Sequence, residues 1–399
     1  MNILLLENIH PRAQAVLEKG NHTLTTLPGS LDEDDLIAAL KGVDLLGIRS
    51  RSNITARVLD HAPDLLAVGA YCIGTNQIDL DAASMNGIAV FNAPYSNTRS
   101  VAELAIAEIV FLVRQVYPKI VSAHAGMWEK SADRSREVRG KKLGIIGFGN
   151  IGSQVSTLAE AMGMDVYYYD IQDKLSIGNA TRVGSLPEIL RIADIITIHV
   201  DGSPANAHLI GEKELGEMKP GACLLNLSRG HVVDIDALAL AIQSGKIGGA
   251  AVDVFPSEPH NGNEGFVSPL QGLPNVLLTP HIGGSTEEAQ ESIAEFVSGK
   301  LQEYVTTGST AASVNFPRIV APRPDGAPSH RLLHIHRNVP GVLSEINGIF
   351  AKNNVNVLTQ YLRTNEAIGY VLADVDAHYK DALFRDLLNV EHTIRVRII

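Results

Sequence analysis

The sequence predicts an α/β protein, with parallel sheets over most of its length and a β-α-β-β-α-β module at its end. Three observations carry this. Glycine is abundant, at 35 of 399 residues, while aromatics make up only 5%. Short Val/Ile/Leu runs alternate with helix-like segments, the rhythm of βαβ units whose strands are buried on both faces. Beyond residue 330 the order changes to strand, helix, two strands, helix, strand, the split-βαβ or ferredoxin-like plan.

The apolar runs predict strands at 2–6, 44–48, 65–70 and 88–91. A long one-faced helix over 100–117 should end at Pro118. Six further strands fall at 143–146, 166–169, 195–200, 222–227, 249–254 and 276–278. Helices over 150–162, 186–192 and 235–244 lie between them, and another long helix covers 285–306. Residues 307–330 carry Pro317, Pro322, Pro324 and Pro328 with Gly308 and Gly326 and no sustained periodicity, which predicts a semi-rigid linker. The last module then reads as strand 332–336, helix 341–352, strands 355–362 and 369–375, helix 377–388 and strand 393–398.

Composition excludes several classes of function. With 33 Lys and Arg against 44 Asp and Glu, the formal charge is −11, so no cationic excess is available to displace counterions from nucleic acid. No apolar stretch approaches the ~20 residues of a membrane span. The first residues lack a basic region and a small-residue cleavage site, and Cys72 and Cys223 are too far apart in sequence to form a metal-like or redox pair. A cytoplasmic protein without a metal centre is expected.

The strand predicted at 143–146 leads into Gly147-Phe148-Gly149-Asn150-Ile151-Gly152 and then a helix. In this strand–turn–helix context the three glycines serve a tight turn, a close approach of backbone to pyrophosphate, and helix–strand packing. The helix N-terminus offers free N–H groups and its positive dipole end. Asp170 closes the next strand 18 residues (170 − 152) after the third glycine, where an acid holds the ribose hydroxyls. Its charge repels a 2′-phosphate and no Arg follows it, so NAD is favoured over NADP.

Three polar positions then follow predicted strands. Arg229 leaves one in Asn226-Leu227-Ser228-Arg229-Gly230, and its fork suits the carboxylate of a hydroxy or keto acid. Asp253 and Glu258 leave the next. His281 leaves the last and is the proton carrier suited to neutral pH, oriented and charged by a neighbouring carboxylate. Taken singly, Arg229 would serve as well in a structural ion pair, His281 as a helix cap and Glu258 as a loop charge. Their recurrence at successive strand ends beside a nucleotide site favours chemistry.

These segments, with Pro280-His281-Ile282-Gly283-Gly284, Cys72-Ile73-Gly74-Thr75-Asn76-Gln77-Ile78-Asp79 and the run Asn92–Glu103, resemble the D-isomer-specific 2-hydroxyacid dehydrogenases. The last module resembles an ACT regulatory domain. The resemblance spans nearly the whole chain and implies a division of labour. A discontinuous, flavodoxin-like substrate domain (1–97 and 285–306) would enclose a Rossmann-type NAD domain (98–284), followed by the linker (307–330) and the ACT domain (331–399). It implies Arg229, Glu258 and His281 as catalytic groups. NAD contacts would come from Asn150, Ile151, Asp170, Leu227, Ser228, Arg229, Asp253, His281, Ile282, Gly283 and Gly284, besides the loop glycines.

The activity implied is oxidation of D-3-phosphoglycerate to 3-phosphohydroxypyruvate, opening L-serine biosynthesis, in a homotetramer inhibited by L-serine. Arg49 and Arg51 would take the substrate phosphate, and His336, Asn338 and Asn356 the serine. A basic stretch at 129–142, with six cations against three acids, is a second candidate for phosphate, or else a solvated loop. Two rivals remain. One is a reductase of another 2-oxo acid such as 2-oxoglutarate or hydroxypyruvate. The other is an amino-acid-binding regulator with a vestigial dehydrogenase body, against which the intact Arg229, Glu258 and His281 speak.

Overall fold

A computed structural model describes residues 1–20, 22–259, 265–322, 329–376 and 381–399. The chain forms two compact units, one of Met1–Ser96 with Gln290–Ile399 and one of Asn97–Ala289. The second is therefore inserted, in sequence, between the two halves of the first.

The first unit opens with β1 (Asn2–Leu5), β2 (Thr23–Thr26), β3 (Leu45–Ile48), β4 (Ala67–Ala70) and β5 (Ala89–Phe91). They pair in parallel in the order β2-β1-β3-β4-β5, the flavodoxin-like arrangement. Strands β3 to β5 are buried at every residue, which is why they read as unbroken apolar runs. The edge strand β2 has the sequence Thr-Leu-Thr-Thr and is mostly exposed. It lacks an apolar run, and the sequence does not reveal it. One face of the sheet packs on Leu36, Val58 and Leu59. The other packs on Val297, Leu301 and Tyr304 of the helix Glu287–Thr307. Gly69 makes room there, since a Cβ on it would stand 2.7 Å from Val297.

The second unit contains β6 (Lys142–Ile146), β7 (Asp165–Tyr169), β8 (Thr181–Arg182), β9 (Ile195–Ile198), β10 (Ala222–Asn226), β11 (Ile247–Val252) and β12 (Val276–Leu278). All seven are parallel, in the order β12-β11-β10-β9-β6-β7-β8. The order reverses between β6 and β9, the switch point where doubly wound sheets bind ligands. Helices cover both faces over two separate apolar cores. The expected helix over 100–117 stops earlier. It runs Thr98–Arg114, Gln115 turns left-handed at φ 53°, and a second helix, Val116–His124, carries Pro118 in its first turn. First-turn N–H groups have no intrahelical acceptor, so a proline there sacrifices no bond and opens a helix instead of ending one.

After the helix Glu287–Thr307, residues 308–322 were expected to form the first part of a linker, but they are packed. Ser309 and Thr310 are buried, and Asn315 reaches β5, accepting the Val90 N–H at 2.8 Å and donating to Ile88 O at 2.9 Å. Of the remainder of that prediction, residues 323–328 with Pro324, Gly326 and Pro328 fall outside the described residues, and residues 329–330 already open the next strand instead of extending the linker. The final sheet comprises β13 (Ser329–Arg337), β14 (Val357–Thr364), β15 (Ile368–Asp376) and β16 (Thr393–Ile398), antiparallel in the order β14-β15-β13-β16. Helices Val342–Lys352 and Asp381–Leu388 cover one face over Leu332, Ile346 and Leu383. The expected start of the second helix, 377–380, is outside the described residues. The opposite face, with Leu333, Ile335, Tyr370 and Leu372, shares the core that holds Tyr304 and Phe91. Arg331 forks onto buried Asp374 at 2.7 and 2.8 Å and also donates to Thr307 O.

Candidate active site

Every predicted catalytic side chain of the second unit lies just past the carboxyl end of a strand. The glycine turn follows β6. Gly147 adopts φ 89°, and a Cβ on it would approach His199 O to 2.5 Å. On Gly152 a Cβ would meet Gly147 O at 2.2 Å, so both positions are fixed as glycine by the fold itself. Gly149 differs: a Cβ there would meet nothing within 4 Å. Nothing among the described residues demands glycine at this point, which fits a backbone reserved for a phosphate at the start of the helix Asn150–Ala161. Asp170, after β7, accepts the Phe148 N–H at Oδ2 and the Gln172 N–H at Oδ1, both at 2.8 Å. It thereby ties the turn to the neighbouring strand and keeps unused lone pairs for a ribose diol. The residues present fit NAD.

Asn226, the last residue of β10, is completely buried and shapes the next turn. Its Oδ1 accepts the Ser228 N–H and hydroxyl at 3.1 and 2.7 Å, and its Nδ2 donates to Arg229 O at 3.0 Å. Arg229 is thus presented by a turn of fixed shape. Gly230 lets that turn lie against the next one, since a Cβ would come within 2.0 Å of the Phe255 backbone. The sequence quotes Asn226 within a motif without showing this role.

Past β11 and β12 the two remaining turns lock together. Asp253 is 1% exposed. Its carboxylate accepts the Ile282 and Gly283 N–H groups at 2.8 Å and the Thr279 hydroxyl at 2.6 Å, while its carbonyl accepts the His281 N–H at 2.8 Å. His281 is held at φ 55°, an uncommon conformation outside glycine. Its Nδ1 meets Glu258 Oε2 at 2.7 Å, and Glu258 Oε1 accepts the Phe255 N–H at 3.0 Å.

The electrostatics follow from these contacts. The hydrogen bond to Glu258 raises the His281 imidazole above its ordinary value against the opposing effect of burial. Burial acts to raise the Glu258 carboxyl, but the bonds from His281 and Phe255 outweigh it and hold the group below the usual carboxylate range. The Arg229 charge is felt by both residues. The other histidine at a strand end here, His199 after β9, is pushed by burial to about 3. His199 therefore stays neutral, and His281 is the one biased to carry a proton. With Glu258 ionised, that bias places a proton on Nδ1 and leaves Nε2 to exchange the other.

In the second unit, the basic stretch at 129–142 is a mostly exposed connection leading into β6, in which Arg139 pairs with Glu137 at 2.9 Å. In the first unit, Arg49 is half-buried and Arg51 exposed on the turn after β3. His336 is buried on β13 with Nδ1 against Arg337 O, and Asn338 donates to Asn365 O at 2.7 Å. Asn356 is exposed, and its carbonyl accepts the N–H of Asp376, which pairs with Ser329 at the far end of β13. Seven residues of strand separate the two ends, ~24 Å at ~3.4 Å per residue. One chain does not bring its own Asn356 to its own His336 and Asn338. Among the described residues, no three metal-ligating side chains are grouped to hold an ion, and no helix is long and apolar enough to cross a membrane.

Residues 106–283 match the model of the D-isomer specific 2-hydroxyacid dehydrogenase NAD binding domain, and 332–395 that of an AHAS small subunit-like ACT domain. A D-3-phosphoglycerate dehydrogenase of Haemophilus influenzae is 50% identical over 100% of this chain and 97% of its own length. The Escherichia coli protein of that name is 47% identical over the same shares. Among solved structures, an Aquifex aeolicus D-lactate dehydrogenase, complexed with NAD and lactic acid, superposes with a TM-score of 0.68 at 28% identity. That match covers 79% of this chain and all of the other.

Proposed function

The chain belongs to the D-isomer specific 2-hydroxyacid dehydrogenases, and we propose that its substrate within them is D-3-phosphoglycerate, oxidised to 3-phosphohydroxypyruvate with NAD as the first step of L-serine biosynthesis. The observation that carries the chemistry is the 2.7 Å contact between His281 Nδ1 and Glu258 Oε2, with Arg229 presented on the adjoining turn. Bound NAD supplies the hydride acceptor. The amides at the start of the helix Asn150–Ala161 would hold its pyrophosphate, and Asp170 would hold its ribose hydroxyls. Arg229 binds the substrate carboxylate and the C2 oxygen, fixing which hydrogen faces the acceptor. His281 Nε2 takes the C2 hydroxyl proton, and Glu258 stabilises the imidazolium that results. In the reverse direction His281 returns that proton to the C2 oxygen.

Arg49 and Arg51 take the substrate phosphate in this reading; the names of the relatives in two bacteria support a phosphorylated substrate. The division into substrate, nucleotide and ACT regulatory domains, a cytoplasmic location and a homotetramer belong to the same proposal. L-serine would bind between subunits, His336 and Asn338 coming from one and Asn356 from the other, an arrangement that their separation within one chain supports. The test measures initial rates of NADH formation from D-3-phosphoglycerate, D-glycerate, D-lactate and D-2-hydroxyglutarate, with and without L-serine. D-3-phosphoglycerate should lead by kcat/KM. The His281→Ala variant should lose about 10²–10⁴-fold in turnover with NADH binding intact. Equal rates on all four acids would refute the substrate, and full turnover of the variant would refute the mechanism.

A further inference from the structure

The turn that carries Arg49 and Arg51 is braced from behind by two side chains of other segments. Glu7, just past β1, is 6% exposed and sits in the left-handed region at φ 62°. Its Oε2 accepts the Arg51 N–H at 3.0 Å and its Oε1 the Ser52 N–H at 2.9 Å. From the Cys72–Asp79 segment, Gln77 Nε2 donates to Arg49 O at 2.7 Å. Three polar groups of one four-residue turn are therefore fixed by side chains reaching across from strand ends β1 and β4. A buried carboxylate paired only with neutral amides is a costly way to shape a loop. The expense is accounted for here because, among the described residues, both carboxylate oxygens go to this turn alone.

We propose that Glu7 and Gln77 are positioning residues that preset the Arg49–Ser52 turn to receive a phosphate dianion, and so set the preference for phosphorylated over unphosphorylated 2-hydroxy acids. This rests on the reading of Arg49 and Arg51 as the phosphate ligands. Neither Glu7 nor Gln77 touches substrate in this scheme. Each acts through the backbone of the turn.

The experiment compares the full-length enzyme with Glu7→Gln, Gln77→Met, Arg49→Ala and Arg51→Ala, measuring kcat and KM for D-3-phosphoglycerate and for D-glycerate, with NADH affinity by fluorescence. Glutamine at position 7 keeps one acceptor and loses the charge. Its KM for D-3-phosphoglycerate should rise about 10-fold to 100-fold, with kcat, the D-glycerate constants and NADH affinity changing less than about threefold. Gln77→Met should move the same constant in the same direction, and stands in if Glu7→Gln does not fold. Wild-type selectivity in the folded position-7 and position-77 variants, with selectivity lost in the arginine variants, would overturn the positioning role alone. A proportional loss on both substrates would also overturn it. Wild-type selectivity in both arginine variants would overturn the phosphate reading beneath it.

Discussion

Replacing Glu108 by Gln should make the protein more stable near neutrality and remove one titration from its stability profile. Glu108 lies on the helix Thr98–Arg114, is 4% exposed, and neither carboxyl oxygen has a hydrogen-bond partner among the described residues. Burial, and after it the charge of Asp253, push the carboxyl up to about 8 from an ordinary 4.5. The folded chain thus holds a proton that the unfolded chain releases. The associated stability is complete below pH 4.5 and is lost as the pH rises through about 8. The full span is 8 − 4.5 = 3.5 pH units, or about 5 kcal/mol at ~1.36 kcal/mol per unit, of which about 3.4 kcal/mol is already lost at pH 7. Glutamine fills nearly the same volume and has no proton to lose. Urea unfolding of both proteins at pH 5.5, 6.5 and 7.5 tests this, because every other titration cancels in the difference between them. Wild type should fall relative to Glu108→Gln by about 1.4 kcal/mol per pH unit, or about 2.7 kcal/mol over the range. A difference independent of pH would mean that Glu108 is ionised in the folded protein.

Three further outcomes follow from the site. Glu258→Gln removes the group that raises the His281 imidazole, so the acidic limb of the oxidation profile and the alkaline limb of the reduction profile should both move to lower pH; unmoved limbs in kcat/KM would exclude the pair. Asp170→Ala deletes the acceptor of the Phe148 N–H and the charge that opposes a 2′-phosphate. It should raise KM for NAD about tenfold while narrowing the preference over NADP, and steady-state kinetics with both cofactors will show whether it does. Asn356→Ala should keep uninhibited activity and need far more L-serine for inhibition, and coincident serine titrations would remove Asn356 from the effector site.

The sheets and the catalytic groups were legible for reasons of burial and spacing. Parallel strands buried on both faces leave continuous apolar runs, and β3 to β6 and β9 to β11 announce themselves that way. The nucleotide turn is legible because Gly147 and Gly152 answer to backbone atoms close in sequence or one strand away. Arg229, Glu258 and His281 carry their chemistry in their side chains, directly after strands. What escaped has no such local trace. Strand β2 is held by backbone pairing to β1 with mostly exposed threonines. Gln115 breaks a helix by a left-handed turn that glutamine composition does not signal, whereas the nearby Pro118 draws attention to the wrong place. Glu7 and Asn226 act by bonding main-chain atoms. For Glu7 those atoms lie 44 and 45 residues away, and no periodicity encodes such a contact. Residues 308–322 look like a linker because Gly308, Pro317 and Pro322 punctuate a stretch without sustained periodicity, yet Ser309, Thr310 and Asn315 are polar in order to satisfy backbone groups inside a core.

The strap that Asn315 fastens along β5 has a consequence for how the protein is made. Without it, β5 is the open edge of a parallel sheet whose unpaired N–H and C=O groups would template another strand. The bond closing that edge, Val90 N–H to Asn315 Oδ1, spans 225 residues, and the helix that covers one face of the sheet is translated almost as late. At about 5–20 residues per second, a ribosome needs roughly 11–45 s to synthesise that interval. During this time the inserted second unit can fold on its own, while the first sheet waits half-built with its sticky edge bare. Neighbouring nascent chains on one polysome would expose the same edge together, which favours their pairing with one another until Asn315 is made.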